Sequence, residues 1–314
     1  MIVTMGEMLV DILAEERGQS FRVPGRLLGP FPGGAPATFI AQVARLGEQA
    51  GIVSCIGDDD FGWLVADRLR REGVDLGAVR IDPEQVTASA FVRYREDGDR
   101  DFVFNLKRSA SGRIALNSAA ERILAQCSHF HVMGSSLFSF RVIDEIQKAM
   151  AIARGNGAVI SFDPNLRKEM LGIPEMRAGL ELMLRSCDIF MPSGTEMLVP
   201  ADARSDAEAI GALFEAGVRM IVLKRSREGS SYYDPDRTIH MPALPIEEAD
   251  PTGAGDCFGA AFVTCLKRGM AVETCLRYAN AAGAMAVSRK GGMEGVAGFD
   301  ELDALIAGET RRDR

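Results

Sequence analysis

The stretch of sequence that decides the fold is Asp250–Asp256, which reads DPTGAGD and leads into the apolar run Cys257–Phe262. A Gly-Ala-Gly turn that enters a helix presents unpaired backbone N–H groups at the helix N-terminus. Together with the positive end of the helix dipole, these groups stabilise an anion such as a phosphoryl group. A carboxylate at Asp256 would lie beside that anion, where it can accept the proton of an attacking hydroxyl. An ordinary helix start with an acidic first turn fits the same residues, so both interpretations stay open at this point.

Around this run, short β-rich segments alternate with amphipathic helical segments. Such alternation is typical of an α/β fold with a doubly wound, mostly parallel sheet and helices on both faces. We expect a single domain over residues 1–314. The predicted strands are Ile2–Gly6, Gly51–Gly57, His129–Met133, Ala158–Phe162, Asp188–Pro192 and Arg219–Lys224, and the predicted helices are Ala35–Leu46, Phe61–Glu72, Arg141–Arg154, Met176–Ser186, Asp206–Ala216, Ala254–Lys267, Val272–Arg289 and Asp300–Ala307.

Two β-rich insertions, residues 8–31 and 87–107, interrupt this alternation. The second contains two β-rich arms around an Asp-Gly turn, which is a hairpin signal. We expect the insertions to form a discontinuous β lid over the carboxyl ends of the strands, where open α/β sheets bind ligands. An extension of the sheet edge is the alternative. The possible strands are Met8–Ala14, Ser20–Pro24, Ala90–Arg95 and Asp101–Asn105.

The charge of the chain excludes one class of partner. The 314 residues are 47% apolar and 25% charged, with a formal net charge of −8. Binding to nucleic acid needs clustered Lys and Arg, so we expect no nucleic-acid partner. A nucleotide ligand is still compatible with this charge, because a few backbone N–H groups and a metal can hold it.

The sequence also bears on metal sites and on location. The chain has six scattered cysteines without a C-x-x-C pair and only three histidines, a pattern that does not indicate a zinc site. No apolar run approaches the ~18 residues that a membrane span needs. No basic residue precedes Arg17, whereas a secretory signal begins with a basic region. We therefore expect a cytoplasmic protein without a membrane partner.

The run Asp250–Asp256 resembles the signature D-T-x-G-A-G-D of the ribokinase-like (PfkB) carbohydrate kinases, with Pro251 where many members have Thr. The resemblance implies a ribokinase-like fold and the ATP-dependent phosphorylation of a sugar hydroxyl. It implies that Asp256 is the general base and that the amides of Gly253, Ala254 and Gly255 form the anion hole.

Further motifs extend the resemblance to the sugar site. Gly33-Gly34, followed by Thr38, resembles the family's G-G-x-x-x-N element, with Thr in place of Asn, and Asp11 matches an acidic residue that holds sugar hydroxyls. The stretch Asp163–Arg167 resembles the D-x-N-x-R pattern of the family's fructokinases and 2-keto-3-deoxygluconate kinases. The substrate-binding residues implied are Asp11, Gly33, Gly34, Thr38, Asn165 and Arg167, with Phe91, Arg93, Phe102, Phe104 and Asn105 as contacts from the lid.

The resemblance also implies the nucleotide and metal sites. Lys224, Ser226 and Gly229 match a K-x-G-x-x-G turn near the ATP phosphates, with Ser226 in place of Gly, and Asn280 and Gly283 lie in the helix expected beside adenine. Glu196 matches an N-x-x-E motif that orders Mg²⁺ through water, with Ser193 in place of Asn. The resemblance also implies a site for a monovalent cation, K⁺, at Asp250 and Thr252.

The sequence favours a neutral sugar. The 2-keto-3-deoxygluconate kinases of this family carry an arginine near the position of Leu106, and a buried carboxylate without a charge partner is costly. The chain most resembles bacterial tagatose and fructose kinases. A 2-keto-3-deoxygluconate kinase that uses Lys107 or Arg108 is the first alternative, followed by a nucleoside kinase and a non-catalytic sugar-binding regulator. The family also implies a possible homodimer through the lid.

Overall fold

The fold is built from strands and helices that alternate along most of the chain. The computed structural model describes residues 1–96, 100–166, 172, 174–198 and 203–312, with backbone only for 309–312. The strands are β1 (Ile2–Met5), β2 (Leu9–Ala14), β3 (Leu27–Gly33), β4 (Ala50–Gly57), β5 (Val79–Asp82), β6 (Ala88–Tyr94), β7 (Arg100–Asn105), β8 (His129–Met133), β9 (Val159–Asp163), β10 (Ile189–Phe190), β11 (Met220–Lys224), β12 (Ser230–Tyr233) and β13 (Thr238–Met241). The helices are α1 (Ala35–Arg45), α2 (Asp60–Glu72), α3 (Ser118–Ala125), α4 (Phe140–Gly155), α5 (Pro174–Leu184), α6 (Asp206–Glu215), α7 (Ala254–Lys267), α8 (Val272–Val287) and α9 (Phe299–Arg312).

The main sheet has the order β13-β12-β11-β10-β9-β8-β1-β4-β5. The strands from β11 to β5 are parallel, and β12 and β13 add antiparallel at one edge. Apolar clusters cover both faces: alternate residues of β1 point to opposite sides, so that Ile2 packs with α1, α7 and α8, and Val3 packs with α3, α4 and α5. The α/β fold predicted from the sequence is confirmed, and no helix in the described ranges combines the length and apolar character needed to cross a membrane.

A separate small sheet has the order β3-β2-β6-β7 and is called the small sheet below. Its central strands β2 and β6 are parallel, while β3 and β7 pair antiparallel at its edges. Asp11 pairs with Ala90, which in turn pairs with Phe104, so these three side chains share one face. The Asp-Gly turn expected between β6 and β7 lies at residues 97–99, outside the described residues.

The expected strand at Ser20–Pro24 is wrong, because the partner of β2 is Leu27–Gly33. Pro30 and Pro32 argue against a strand in a sequence-based prediction, since proline cannot donate to a ladder. They are tolerated here because β3 is an edge strand. The sequence-based prediction also omitted β5, β12, β13 and α3, all of which are short.

Asp59 joins the main sheet to the small sheet. Its Oδ1 accepts a hydrogen bond from the Gly62 N–H at 2.8 Å and so caps α2, and its Oδ2 accepts from the Thr87 N–H at 2.7 Å. Thr87 directly precedes β6, and its hydroxyl accepts from the Gly57 N–H at 2.9 Å. One carboxylate therefore fixes the start of α2 and the entry to the small sheet.

Gln42 links α1 to the loop before α9. Its Nε2 donates to the Ala297 carbonyl at 2.7 Å, and the Ala297 N–H donates to its Oε1 at 3.1 Å. Both residues are fully buried. A buried backbone group that loses its partner destabilises the fold by about 1–3 kcal/mol.

We therefore expect Gln42→Leu to lower the free energy of unfolding by about 2–4 kcal/mol, because it leaves both backbone groups of Ala297 unpaired. Urea denaturation followed by circular dichroism measures the change. The control is Gln126→Leu at an exposed position, where the change should stay within about 0.5 kcal/mol. Equal losses for both variants would show that the paired bonds add no net stability.

Candidate active site

The start of α7 is shaped by glycine. Gly253 precedes the helix with a left-handed φ of 83°, and a Cβ on it would lie 2.3 Å from the Gly292 carbonyl oxygen. Any other residue here would be strained and would collide with backbone. The helix then begins at Ala254, and the first backbone N–H groups have no partner within the helix. The sequence-predicted anion hole, Gly253, Ala254 and Gly255, thus lies at a true helix N-terminus.

Asp256 lies in the first turn of α7 and is 6% exposed. The Asn165 side-chain amide donates to its Oδ1 at 3.1 Å. Asn165 has a φ of 40°, an unusual left-handed conformation, and its N–H donates to the Asp163 Oδ1 at 3.0 Å. The loop after β9 therefore holds a donor against the carboxylate of Asp256.

A pocket lies between this helix start and the small sheet. Six of the sequence-predicted sugar residues line it together with Asp256 and Gly253, and so do Leu106 and the cation candidate Thr252. The six are Asp11, Gly34, Thr38, Phe102, Phe104 and Asn165.

The structure does not bring every sequence-predicted contact to this pocket. Phe91 pairs with Val103 and Arg93 forms an ion pair with Asp101, so both candidates lie on the face of the small sheet opposite to Phe104. Phe91 packs instead against the Phe21 ring, with the ring centroids 6.1 Å apart. Phe91 and Arg93 do not line the pocket because strand alternation turns them outward, and Asn105 shares their face. Arg167 lies outside the described residues.

Gly33 and Gly34 lie close to Asp11 and to the backbone of Glu7, respectively. A Cβ on Gly33 would lie 2.1 Å from the Asp11 Oδ2, and a Cβ on Gly34 would lie 2.6 Å from the Glu7 carbonyl oxygen. Gly34 also has a φ of 101° and caps α1. Thr38, in the first turn of α1, is 2% exposed. The two glycines are required by the close approach of β2.

Glu7 and Ser135 also line the pocket, although the sequence analysis did not select them. The Ser135 hydroxyl donates to the Glu7 Oε1 at 2.7 Å. Glu7 directly follows the predicted strand Ile2–Gly6, and Ser135 lies two residues after the end of the predicted strand His129–Met133. The rule that ligands bind at the carboxyl ends of parallel strands would have found them.

A charged group lies beside the start of α7. The Lys224 ammonium forms an ion pair with the Asp163 carboxylate, and a Cβ on Gly255 would lie 3.3 Å from the Lys224 Nζ. Glu196 accepts from the Leu166 N–H at 2.8 Å and from the Ser193 N–H at 2.7 Å. Burial, and then the negative charge of Asp163, raise the pKa of Glu196.

This donor set fits a magnesium ion that is bound through water. Both Glu196 oxygens already accept a backbone N–H, but each keeps a second lone pair for a water molecule. Mg²⁺ usually retains several of its waters. Ser193 contributes its backbone N–H to Glu196, which does not require the asparagine side chain usual in the family motif.

Asp250 is fully buried and holds the turn before α7. Its Oδ1 accepts from the Thr252 N–H at 3.0 Å and from the Thr252 hydroxyl at 2.7 Å, and its Oδ2 accepts from the Gly291 N–H at 3.0 Å. The small sheet reaches the same turn, since Arg100 Nη1 lies 3.0 Å from the Thr252 hydroxyl oxygen. Burial, with Asp250 nearby, raises the pKa of Tyr94.

The other sequence-predicted nucleotide residues lie in the turn after β11 and in α8. Ser226 adopts a left-handed φ of 53°, which explains why glycine is usual there, and a Cβ on Gly229 would lie 2.1 Å from the Met241 carbonyl oxygen. The Asn280 amide donates to the carbonyls of Met241 and Pro242 at 3.1 and 2.9 Å.

Asn280 therefore fixes the loop after β13 with its own amide protons. Gly283 lies where a Cβ would be 3.4 Å from the Ala254 carbonyl oxygen. A Cβ at this position would make only an ordinary van der Waals contact with the start of α7.

Comparisons with known proteins agree with this geometry. The model of the pfkB family carbohydrate kinases matches residues 1–297. Fructokinase-1 of Oryza sativa subsp. japonica is 32% identical over 301 residues, which cover 93% of this chain and 93% of that protein. Fructokinase-1 of Zea mays is 31% identical over 98% of this chain and 97% of its own length.

Solved structures give the same result. A ribokinase II-like protein of E. coli, in complex with ATP and Mg²⁺, is 48% identical with a TM-score of 0.91, over 98% of this chain and 99% of that chain. A fructokinase of Xylella fastidiosa with bound ATP is 25% identical with a TM-score of 0.86, over 98% of both chains. The chain therefore belongs to the pfkB family of carbohydrate kinases and is an ATP-dependent carbohydrate kinase with a ribokinase-like fold.

Proposed function

We propose that this kinase transfers the γ-phosphoryl group of ATP to a hydroxyl of a neutral ketohexose, fructose or tagatose, with Asp256 as the general base. The observation that carries the substrate class is the charge of the pocket. In the described part of the chain its charged lining residues are all carboxylates, namely Glu7, Asp11 and Asp256. A substrate carboxylate buried beside them would meet repulsion in a site of low polarity, which is strongly unfavourable. The fructokinases among the relatives support a ketohexose.

The residues around α7 support the proposed chemistry. Asn165 donates to one oxygen of Asp256, and we expect the Asp256 carboxylate to accept the proton of the attacking sugar hydroxyl. The amides of Gly253, Ala254 and Gly255 face the position of the transferring group, and the helix dipole favours the charge that develops there. Lys224 adds a positive charge beside Gly255.

Residues around the start of α7 are also the ones that we expect to bind the cofactors. ATP would supply the phosphoryl group, and Mg²⁺ would neutralise its charge. We expect Lys224, Ser226 and Gly229 to border the nucleotide, with Asn280 and Gly283 shaping the adenine side, and Glu196 to hold Mg²⁺ through water. Asp250 and Thr252 are the residues expected to hold K⁺, if the kinase uses it. The ATP and Mg²⁺ bound by the E. coli structure support this assignment.

The small sheet is the lid in this proposal. It brings Asp11, Phe102 and Phe104 over the pocket and reaches the turn before α7 through Arg100. A lid that excludes water strengthens the electrostatic interactions within the site. The outer face of the small sheet, with Phe91 and the exposed Val103, is where a homodimer would form.

A substrate panel tests the proposed sugar. ADP release from ATP and Mg²⁺ should be fastest with fructose or tagatose, compared with ribose, adenosine and 2-keto-3-deoxygluconate. Turnover of the keto-deoxy acid would show that another cation, such as Lys107 or Arg108, meets its carboxylate. Fastest turnover of adenosine would favour a nucleoside kinase. Sugar binding without turnover would favour a regulator.

Asp256→Asn should lower kcat by about 100-fold or more, because general-base catalysis contributes about 10²–10⁴ in rate. The KM of the sugar should change only a few-fold. The matched control is Asp60→Asn, which alters an exposed acidic residue in the first turn of α2 and should keep its rate. A near-normal rate for Asp256→Asn would show that Asp256 is not the general base.

Gly33→Ala tests the role of Asp11. The new Cβ would lie 2.1 Å from the Asp11 Oδ2 and must displace that carboxylate. We expect the KM of the sugar to rise at least about tenfold, a loss of about 1.4 kcal/mol, while the KM of ATP changes less than about twofold. The control is Gly211→Ala, where a Cβ meets no atom within 4 Å. An unchanged sugar KM would remove Asp11 from the sugar site.

Arg100→Gln tests closure of the small sheet over the turn before α7. Loss of the contact with Thr252 should lower kcat/KM for the sugar about tenfold. Arg93→Gln is the matched control in the same hairpin, because Arg93 pairs with Asp101 on the outer face. It should keep kcat/KM within about twofold. A larger loss of kcat/KM in Arg93→Gln than in Arg100→Gln would indicate that Arg93 contacts the substrate.

A further inference from the structure

Glu7 and Ser135 lie at the carboxyl ends of two adjacent parallel strands. β1 pairs with β8, Glu7 follows the first strand, and Ser135 and Ser136 follow the second. Glu7 is 2% exposed and Ser135 is 8% exposed, and both line the pocket. Ser136 is fully buried and is not part of the pocket lining. The proposed mechanism uses none of the three.

The hydrogen bonds of Glu7 determine which groups in this part of the pocket donate and which accept. The Ser135 hydroxyl donates to the Glu7 Oε1 at 2.7 Å, and the Ser136 hydroxyl donates to the Glu7 Oε2 at 2.5 Å. A carboxylate has no proton to give, so each serine must use its only proton toward Glu7. The Ser135 oxygen is then left with lone pairs alone for anything bound in the pocket.

We propose that Glu7, through Ser135, leaves this part of the pocket with hydrogen-bond acceptors only. The pocket then selects a sugar with a hydroxyl donor at that position. The inference rests on the proposed function and deepens it by naming a specificity-determining pair. A ligand group that only accepts, such as fluorine, a carbonyl or a carboxylate, would face acceptors there and lose its hydrogen bond. Unpaired polar groups in a site built to bind a hydroxyl give discrimination of several orders of magnitude.

Glu7 acts here as a positioning residue, because it sets the direction of the Ser135 hydroxyl. Glu7→Gln has nearly the same shape but supplies an amide that donates. The Ser135 oxygen can accept from that amide, and its proton can then turn toward the pocket. In the variant, Ser135 can therefore donate a hydrogen bond into the pocket, while the side-chain volume at position 7 stays nearly the same.

The experiment uses D-fructose or D-tagatose, whichever binds, and its monodeoxyfluoro analogues, in which fluorine replaces one hydroxyl at a time. For each, kcat/KM is measured by ADP release and the dissociation constant by titration calorimetry. In the wild type, fluorine at one hydroxyl other than the phosphorylated one should lower affinity and kcat/KM at least about 100-fold. In Glu7→Gln this factor should shrink at least about tenfold.

Ser135→Ala and Ser136→Ala complete the test. Ser135→Ala removes the acceptor that faces the pocket, so the fluorine effect at the same position should also shrink, and this variant decides the matter if Glu7→Gln does not fold. Ser136→Ala removes an equivalent bond to Glu7 away from the pocket and should keep the wild-type factor. A fluorine effect that is unchanged in both Glu7→Gln and Ser135→Ala, or equally reduced in Ser136→Ala, overturns the inference.

The two proposals fail separately. Sugar that binds but is not phosphorylated would contradict the proposed function, while the calorimetric comparison of analogues would still decide the inference. Normal turnover with no position sensitive to fluorine would contradict the inference alone. Absence of binding by both ketohexoses would overturn both.

Discussion

The carboxylate of Asp250 holds together the two loops on which the catalytic region depends. It accepts two hydrogen bonds from Thr252 and one from the Gly291 N–H, and it has no exposed surface. These bonds fix the turn before α7 against the loop after α8. The close approach of Gly253 to the Gly292 carbonyl is possible only with both loops in this arrangement. The direction of the first amides of α7 follows from it, because a helix N-terminus points where its preceding turn directs it.

The parallel strands supply the remaining polar groups around this helix start. Glu7, Ser135, Asn165 and Lys224 each follow, or end, a strand of the main sheet, and their carboxyl ends meet at one edge. Lys224, in its ion pair with Asp163, lies beside the start of α7, and the pocket next to the small sheet is lined by the carboxylates of Glu7, Asp11 and Asp256. In the proposed function, the phosphoryl group and the sugar would lie on different sides of Asp256.

Much of the fold could be predicted from the sequence because its strands and helices have strong periodicity and clear ends. The helix at Ala254–Lys267 was predicted with the observed boundaries, since the Gly-Ala-Gly turn marks its start. The edge strand with Pro30 and Pro32 was not, because its pairing depends on a partner that is distant in sequence. The DPTGAGD run and its family resemblance located the helix start and Asp256.

The sequence could not predict which side chains of the small sheet face the pocket and which face outward. A shift of register by one residue reverses every side chain of a strand, and only the pairing of Ala90 with Phe104 shows that Phe91 and Arg93 face outward. The positions of Glu7 and Ser135 after predicted strands could mark each as a site residue, but could not predict that the two lie next to each other. Their proximity depends on the pairing of β1 with β8, which a linear pattern does not contain.

The small sheet is assembled from segments that the chain brings together only indirectly. Leu9 pairs with Ala88, and the intervening residues form α1, β4, α2 and β5 of the main domain. Contacts between residues so far apart in sequence require a large loss of chain entropy before they gain any stability. The pairing of β1 with β4 and the bonds of Asp59 shorten that search by placing β2 and β6 side by side. From this topology we expect the parallel core to form before the strand that carries Asp11 gains its neighbour.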